Sequence, residues 1–502
     1  MAAVTSLGLS LRPQTGAPMY QQIFDQLADR IRSGVLPDGF RLPPTRALAS
    51  TLGAHRNTVV RAYAELESAG FLTAVVGRGS FVTAPRAAAP AVEAPMNQGL
   101  PWGTLLSSAA RSEPIRRFVQ LRKTAAPVGT IDLTRMQPPA ELLPHELFRR
   151  CVDHVLRNAG ARALGYSPQA GFRHLRTLIA EDLARRGVPA PADAIVVTTG
   201  SQQGLDLLAR ALLDPGDVVL SAPSTYAGAL EVFAAAGATV VSVPSDGEGP
   251  DIEALRRAGR RRPKLLYLMP NHQNPTGACI SARRREALLA WARDAQVAVI
   301  EDDYAVDLVL DETPAPPALR ALDRDVLHVG SFSKRLIPAL RIGYLVVPPP
   351  LRPHLLAFKH ASDLGSSALH QLALAEFLDR GYMGAHLNRI APAYRAKRDA
   401  LLDALRTHLP ADVRWQRPSR GISVWLELPP TIDPARVFEE ALARRVLVAP
   451  GTHFAVEEGT APGLRLSFCH EPVERLRQGA VRVAEAIEAA RGHVQGDAVE
   501  LV

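Results

Sequence analysis

The chain has 502 residues, 47% of them hydrophobic and 22% charged, and a net charge of +8. This is the composition of a folded protein with room for more than one domain, which excludes a disordered or fibrous chain. No apolar run approaches the roughly 20 residues of a membrane helix, and the opening MAAVTSLGLSLRPQ lacks the basic end and long apolar core of a signal peptide. Cys151, Cys279 and Cys469 stand far apart without metal or redox spacing, so a reducing cytoplasm is the expected compartment. The positive charge permits an acidic partner such as DNA without demonstrating one.

In chain order, PMYQQIFDQLADRIRSG comes first, with Ile23, Leu27 and Ile31 at helical spacing and Gly34 as a left-handed stop. PPTRALASTLG predicts a short helix with Thr45 as N-cap and Leu48 and Leu52 on one face. After the turn GAH, RNTVVRAYAELESAG carries a buried stripe of Val59, Tyr63 and Leu66. Two short helices joined by such a turn make a helix-turn-helix. FLTAVVGRGSFVTAP then alternates as two strands around Gly77-Arg78-Gly79, a wing.

The second helix of the pair offers its N-terminal end to a DNA major groove, which places Arg56, Asn57 and Thr58 at the bases and Arg61 one turn later. Arg46 is placed to meet a phosphate and Arg78 to enter a minor groove, tasks that suit a forked guanidinium. The expected DNA-reading domain is 1–83. APRAAAPAVEAPMNQGLP at 84–101 is too rich in Pro and Ala to fold, and the spacer is assigned to 84–128.

The remainder, 129–495, alternates strands and helices. Its apolar runs AIVVTTG, VVLSAP, TVVSVP, KLLYLMP, VAVIEDD, VLHVGSF and RIGYLVV imply an α/β domain whose mostly parallel sheet lies between helices. Ligands of such sheets sit at the C-terminal strand ends, where the polar residues cluster. TTGSQQ at 198–203 opens a helix and suits an anion. PNHQNPTGA projects Asn271 and Asn274 from a turn, and EDDY sets three carboxylates at a strand end. Buried acids need a cation or a hydrogen bond to stay ionised; no histidine cluster accompanies them, so no metal is expected.

SFSKRLIPALRIGY holds Lys334, one of only five lysines among 58 basic residues. An ammonium, unlike a guanidinium, can lose its proton on burial and attack a carbonyl, although position alone fits a solvated lysine equally well.

Taken together, the motifs carry two resemblances. LPPTRALASTLGAHRNTVVRAYAELESAGFL with GRGSFV closely resembles the winged helix-turn-helix of the GntR family of bacterial regulators, with His55 where that family usually has a small hydroxyl N-cap. GSQQ, Tyr226, PNHQNPTG, EDDY, SFSKRLIPALRIGY and LRLSF, in that order, resemble fold type I enzymes of pyridoxal 5′-phosphate, the aspartate aminotransferase superfamily, with a smaller C-terminal α/β subdomain. That resemblance implies Lys334 as the Schiff-base lysine, with Ser201, Gln202, Ser331, Ser333 and Arg341 at the phosphate. It implies Tyr226 stacked on the pyridine, Asn274 and Tyr304 at its 3-oxygen, and Asp302, in preference to Asp303, at its nitrogen. Arg465 would clamp a substrate or effector carboxylate, and Tyr166 would reach a neighbouring subunit's site.

Two departures lie near the pocket rim: Ser221 replaces a common acid before Pro223, and TRMQPPAELLP lacks a Gly-Ser-Pro-Asp start. The whole chain resembles the MocR/GabR-type regulators. The implied function is a homodimeric transcription regulator that binds a double-stranded DNA operator and senses an amino compound or vitamer. The rivals are a working aminotransferase with an appended DNA-binding domain and, third, a DNA-binding module on a degenerate dimerisation domain.

Overall fold

The computed structural model describes residues 7–11, 18–75, 79–83, 100, 102–121, 127–305, 307–312, 314–457, 459 and 461–492. Arg78, expected at the wing tip, and residues 84–99, 101 and 122–126 of the assigned spacer lie outside these residues. The chain divides into two compact units, Met1–Pro101 and Trp102–Val502.

The first unit is built on helices α1 (Met19–Arg32), α2 (Thr45–Leu52) and α3 (Arg56–Ser68), followed by the antiparallel strands β1 (Leu72–Val75) and β2 (Gly79–Val82). Ile23, Leu27, Ile31, Leu48, Val59, Tyr63 and Leu66 meet in one core, as helical periodicity dictates. The Tyr63 hydroxyl donates to the Pro43 carbonyl at 2.9 Å and so pins the start of α2 to α3. Thr45 is the first residue of α2 rather than its cap, because Pro44 takes that place without a side-chain bond. His55 caps α3, its Nδ1 accepting from the Asn57 amide at 3.3 Å.

In the second unit, Trp102–Leu105 and Glu113–Leu121 are helical, which shortens the spacer assigned to 84–128. The physical reason is tertiary: helix Glu113–Leu121 packs on helix Ala227–Ala235, and Arg117 donates to the Thr452 carbonyl at 2.6 Å.

The main sheet has seven strands. In chain order they are β3 (Ile195–Thr198), β4 (Val218–Ser221), β5 (Thr239–Ser242), β6 (Leu265–Leu268), β7 (Ala298–Asp303), β8 (Leu327–Ser331) and β9 (Gly343–Val346). Their spatial order is β3-β9-β8-β7-β6-β4-β5, and only β9 runs antiparallel to its neighbours. β3, β6, β8 and β9 are buried along their whole length, as a sheet covered on both faces requires. A second core gathers the four-stranded sheet Arg414–Trp415, Ser423–Glu427, Gly463–Ser467 and Ala449–Pro450 with helices Tyr382–His408, Pro434–Ala443 and Val473–Gly492. This is the smaller subdomain. Among the described residues no helix is long and apolar enough to cross a membrane.

Candidate functional site

Beyond the C-terminal ends of β6, β7 and β8 lies a cavity of about 310 Å³. It brings together Ser201, Gln202, Tyr226, Asn274, Asp302, Tyr304, Ser331, Ser333, Lys334, Arg341 and Arg465, residues drawn from distant parts of the sequence. Three cations, Lys334, Arg341 and Arg465, face one acid, Asp302, so the cavity is suited to an anionic ligand.

Lys334 is half-buried, and the desolvation of its amine, with help from Arg465 and Arg341, lowers its ammonium to about 8. Its Nζ donates to the Met136 carbonyl at 2.5 Å. At the far end of β7, burial pushes the Asp302 carboxyl up to about 7; the Asp303 charge adds to this and the Tyr267 hydroxyl opposes it. Tyr267 donates to Asp302 Oδ2 at 2.7 Å, while Oδ1 is buried without a partner. Because successive strand residues face opposite ways, Asp303 is used elsewhere: it accepts from Asn271 at 2.9 Å and faces Arg186 at 3.6 Å. The Tyr304 hydroxyl is also buried without a partner. Two unsatisfied polar atoms in one cavity are costly unless a ligand completes them.

The opposite wall is a backbone cradle. Gly200 opens helix Gly200–Leu212 at φ +80°, and a Cβ there would stand 2.7 Å from Arg341 Nη2. A Cβ on Gly343 would stand 2.6 Å from the Gly200 carbonyl carbon, so both glycines are demanded by close approach. The helix N-terminus and the Arg341 guanidinium together favour a phosphate. The Gln202 side chain is committed: Nε2 donates to Gly228 O at 2.7 Å and Oε1 accepts from the Tyr226 hydroxyl at 3.0 Å. It therefore braces Tyr226.

Arg465 extends from strand Gly463–Ser467, donates to Asn274 Oδ1 at 2.9 Å and Thr134 O at 3.1 Å, and lies 4.8 Å from the Phe454 ring centre. Burial lowers its pKa, and among the described residues no carboxylate forms an ion pair with it. A buried, unneutralised guanidinium is a site for a carboxylate. Tyr166 is 85% exposed and does not line the cavity.

Four contributors escaped the sequence reading. Thr134 and Met136 act through backbone carbonyls, and Tyr267 sits in an apolar strand where it reads as core. Gln203, beside Gln202, accepts from the Thr199 amide at 2.7 Å and donates to Asp363 at 2.8 Å, which in turn pairs with the buried Lys359. The third acid of EDDY, Glu301, accepts the Leu319 and Arg320 amides at 2.8 and 3.0 Å and meets His328 at 3.1 Å. Among the described residues no three His, Cys, Asp or Glu side chains are grouped so as to hold a metal ion.

In the first unit, Arg46, Arg56 and Asn57 are exposed and Thr58 is half-buried, with the last three on the first turn of α3. Arg61 is engaged within the unit: its guanidinium lies 3.7 Å over the Tyr20 ring and its Nε is 3.2 Å from Glu65. Arg41, not singled out from sequence, lies against Gly79 at the start of β2.

Fold and cavity together define a DNA-reading helix-turn-helix joined to an aminotransferase-type domain. Residues 19–82 match the family of bacterial regulatory proteins, gntR family, and residues 140–483 match aminotransferase class I and II. The chain is 31% identical to the uncharacterized HTH-type transcriptional regulator YdfD of Bacillus subtilis, over 92% of this chain and 95% of that one. It is 30% identical to the probable rhizopine catabolism regulatory protein MocR of Rhizobium meliloti, over 94% and 91%. The crystal structure of LysN, an alpha-aminoadipate aminotransferase from Thermus thermophilus, superposes with a TM-score of 0.71 at 34% identity, covering 78% of this chain and 100% of that one. The chain belongs to the GntR/MocR-type transcription regulators, whose second domain has the aminotransferase class I and II fold.

Proposed function

We propose that this regulator holds pyridoxal 5′-phosphate at Lys334 and changes its hold on an operator when a small amino compound or vitamer occupies the same cavity. The observation that carries the reading is the meeting of the half-buried Lys334 amine, an orphaned Asp302 oxygen and an Arg465 without an ion-pair partner in one cavity. The Thermus relative's crystal contains N-(5′-phosphopyridoxyl)-L-leucine, a molecule that carries a phosphate, a pyridine nitrogen and a carboxylate.

The residues fit the cofactor. When bound, it supplies an aldehyde that combines with amines and a ring that draws electrons from the attached carbon. Lys334 offers its amine, which burial keeps largely deprotonated above pH 8. Asp302, through its partnerless Oδ1, would keep the pyridine nitrogen protonated, and Tyr226 would hold the ring. Asn274 and Tyr304 donate to the 3-oxygen. Ser201, the Gln202 amide, Ser331, Ser333 and Arg341 take the phosphate, and Arg465 takes the amino compound's carboxylate.

In the first unit, Arg56, Asn57 and Thr58 read bases, Arg46 meets a phosphate, and Arg61 and Arg78 add contacts. A homodimer in the cytoplasm presents two such readers to paired half-sites, so a modest rearrangement changes operator affinity strongly. Exposed Tyr166 reaches the second copy's cavity in that arrangement.

Borohydride reduction of the loaded protein, followed by peptide mass analysis, tests the site: the phosphopyridoxyl mass is expected on the Lys334 peptide. Its appearance on another lysine, or on none, would sink the assignment. A second reading, amino transfer over many cycles, is favoured by the completeness of the cavity. Steady-state assay with an amino donor and a keto acid separates the two, since many turnovers per site indicate an enzyme.

A further inference from the structure

The loop Gly451–Val456 touches three parts of the molecule at once. Its Phe454 ring lies 4.8 Å from the Arg465 guanidinium. Its backbone is laced to the segment that ends at Tyr226: Thr225 N donates to Phe454 O at 2.9 Å and Val456 N to Pro223 O at 3.0 Å. From the other side Arg117 donates to Thr452 O at 2.6 Å and to Ala455 O at 3.5 Å. Burial, and then the charges of Arg117 and Arg465, depress the intervening His453 imidazole to about 4. The two cations therefore flank one loop.

Arg117 belongs to helix Glu113–Leu121, which follows closely on the spacer from the DNA reader. The packing around this helix is incomplete. An open groove of about 480 Å³ runs between Ser108, Glu113 and Arg117 on one side and Leu230, Val240 and Val456 on the other. The groove opens to solvent, and Phe118 and Val119 of the helix are exposed, so the helix lies on the surface and can shift without prising apart a core. Arg117's ion-pair partner, Glu113 at 4.0 Å, lies one turn back on the same helix and moves with it.

We propose that Arg117 is a positioning residue for the Phe454–Arg465 clamp, and that through it helix Glu113–Leu121 relays occupancy of Arg465 to the spacer. The inference rests on the reading that Arg465 takes a ligand carboxylate. A carboxylate on Arg465 resets the guanidinium against Phe454 and draws in the loop. The charge-assisted bonds to Thr452 O and Ala455 O carry Arg117 with it. Coupling of this kind requires a contact whose strength differs between the two states, and the Arg117 bonds supply it.

The test is hydrogen exchange across residues 102–121 of the full-length protein, with and without N-(5′-phosphopyridoxyl)-L-leucine. Wild type, Arg117→Ala and Arg117→Lys are compared, and binding of the conjugate is measured separately by calorimetry. In wild type the conjugate is expected to slow exchange in this segment by roughly fivefold or more, the usual lower range of allosteric coupling. Arg117→Ala is expected to bind the conjugate yet show no slowing, and Arg117→Lys to recover part of it. Equal slowing in wild type and Arg117→Ala overturns the relay, as does bound conjugate with no change in wild type. Failure of wild type to bind the conjugate at all overturns the cofactor reading itself, and the relay with it.

Discussion

Replacing Lys334 by Met is expected to stabilise the cofactor-free protein near neutral pH while abolishing cofactor attachment. The folded chain holds the Lys334 ammonium at about 8 against an ordinary value of 10.5, with burial as the chief cause. Between those two pH values the unfolded chain binds a proton that the folded chain has lost, so the penalty shrinks as pH rises through that window and is fully present below pH 8. It amounts to about 3 kcal/mol at pH 7 and about 1 kcal/mol at pH 9.5. The lost donation to Met136 O gives back about 1 kcal/mol at either pH. The variant should therefore unfold at higher temperature than wild type at pH 7, by about 2 kcal/mol of stability, and nearly together with it at pH 9.5. Calorimetry of the cofactor-free proteins at the two pH values reads the difference. A variant less stable at pH 7, or a gain that does not shrink by pH 9.5, would refute the picture of a lysine held partly deprotonated by burial.

Other perturbations separate the roles of neighbouring residues. Arg56→Ala is expected to weaken operator binding by about 1–3 kcal/mol, whereas Arg61→Ala costs less because Tyr20 and Glu65 already occupy that side chain; titrations on one operator duplex compare them. Arg465→Met should weaken an amino acid's affinity by about 2–5 kcal/mol while leaving cofactor uptake intact, measured by spectral titration. Tyr267→Phe removes the donor to Asp302 Oδ2, so the Asp302 carboxyl rises further and the bound cofactor's absorption becomes more pH-dependent near neutrality.

Much of this was legible because it is periodic or terminal. The Ile23-Leu27-Ile31 and Val59-Tyr63-Leu66 stripes had to share a core, and the apolar runs from 195 to 346 had to form a covered sheet. A sheet of that kind offers its strand ends to ligands, which is where Asp302, Ser331 and Asn274 lie.

What stayed hidden depends on contacts remote in sequence. Helix Glu113–Leu121 is held through Arg117 by carbonyls at Thr452 and Ala455, far along the chain, so its own composition gave no sign that the fold begins at Trp102. Tyr267 reads as core until the register of β6 beside β7 brings its hydroxyl to Asp302. The Thr134 and Met136 carbonyls carry no side-chain signature at all.

In the proposed function one chain reads DNA at α3 and is governed from Lys334. The most direct measurement is to incubate the cofactor-loaded protein with sheared DNA from its own genome, with Arg56→Ala and Lys334→Ala variants alongside, and sequence what is retained. Discrete retained sites built of paired repeats are expected, lost with Arg56→Ala and altered in occupancy with Lys334→Ala. Retention that is uniform along the genome, falls only with salt and is indifferent to both substitutions would contradict that function.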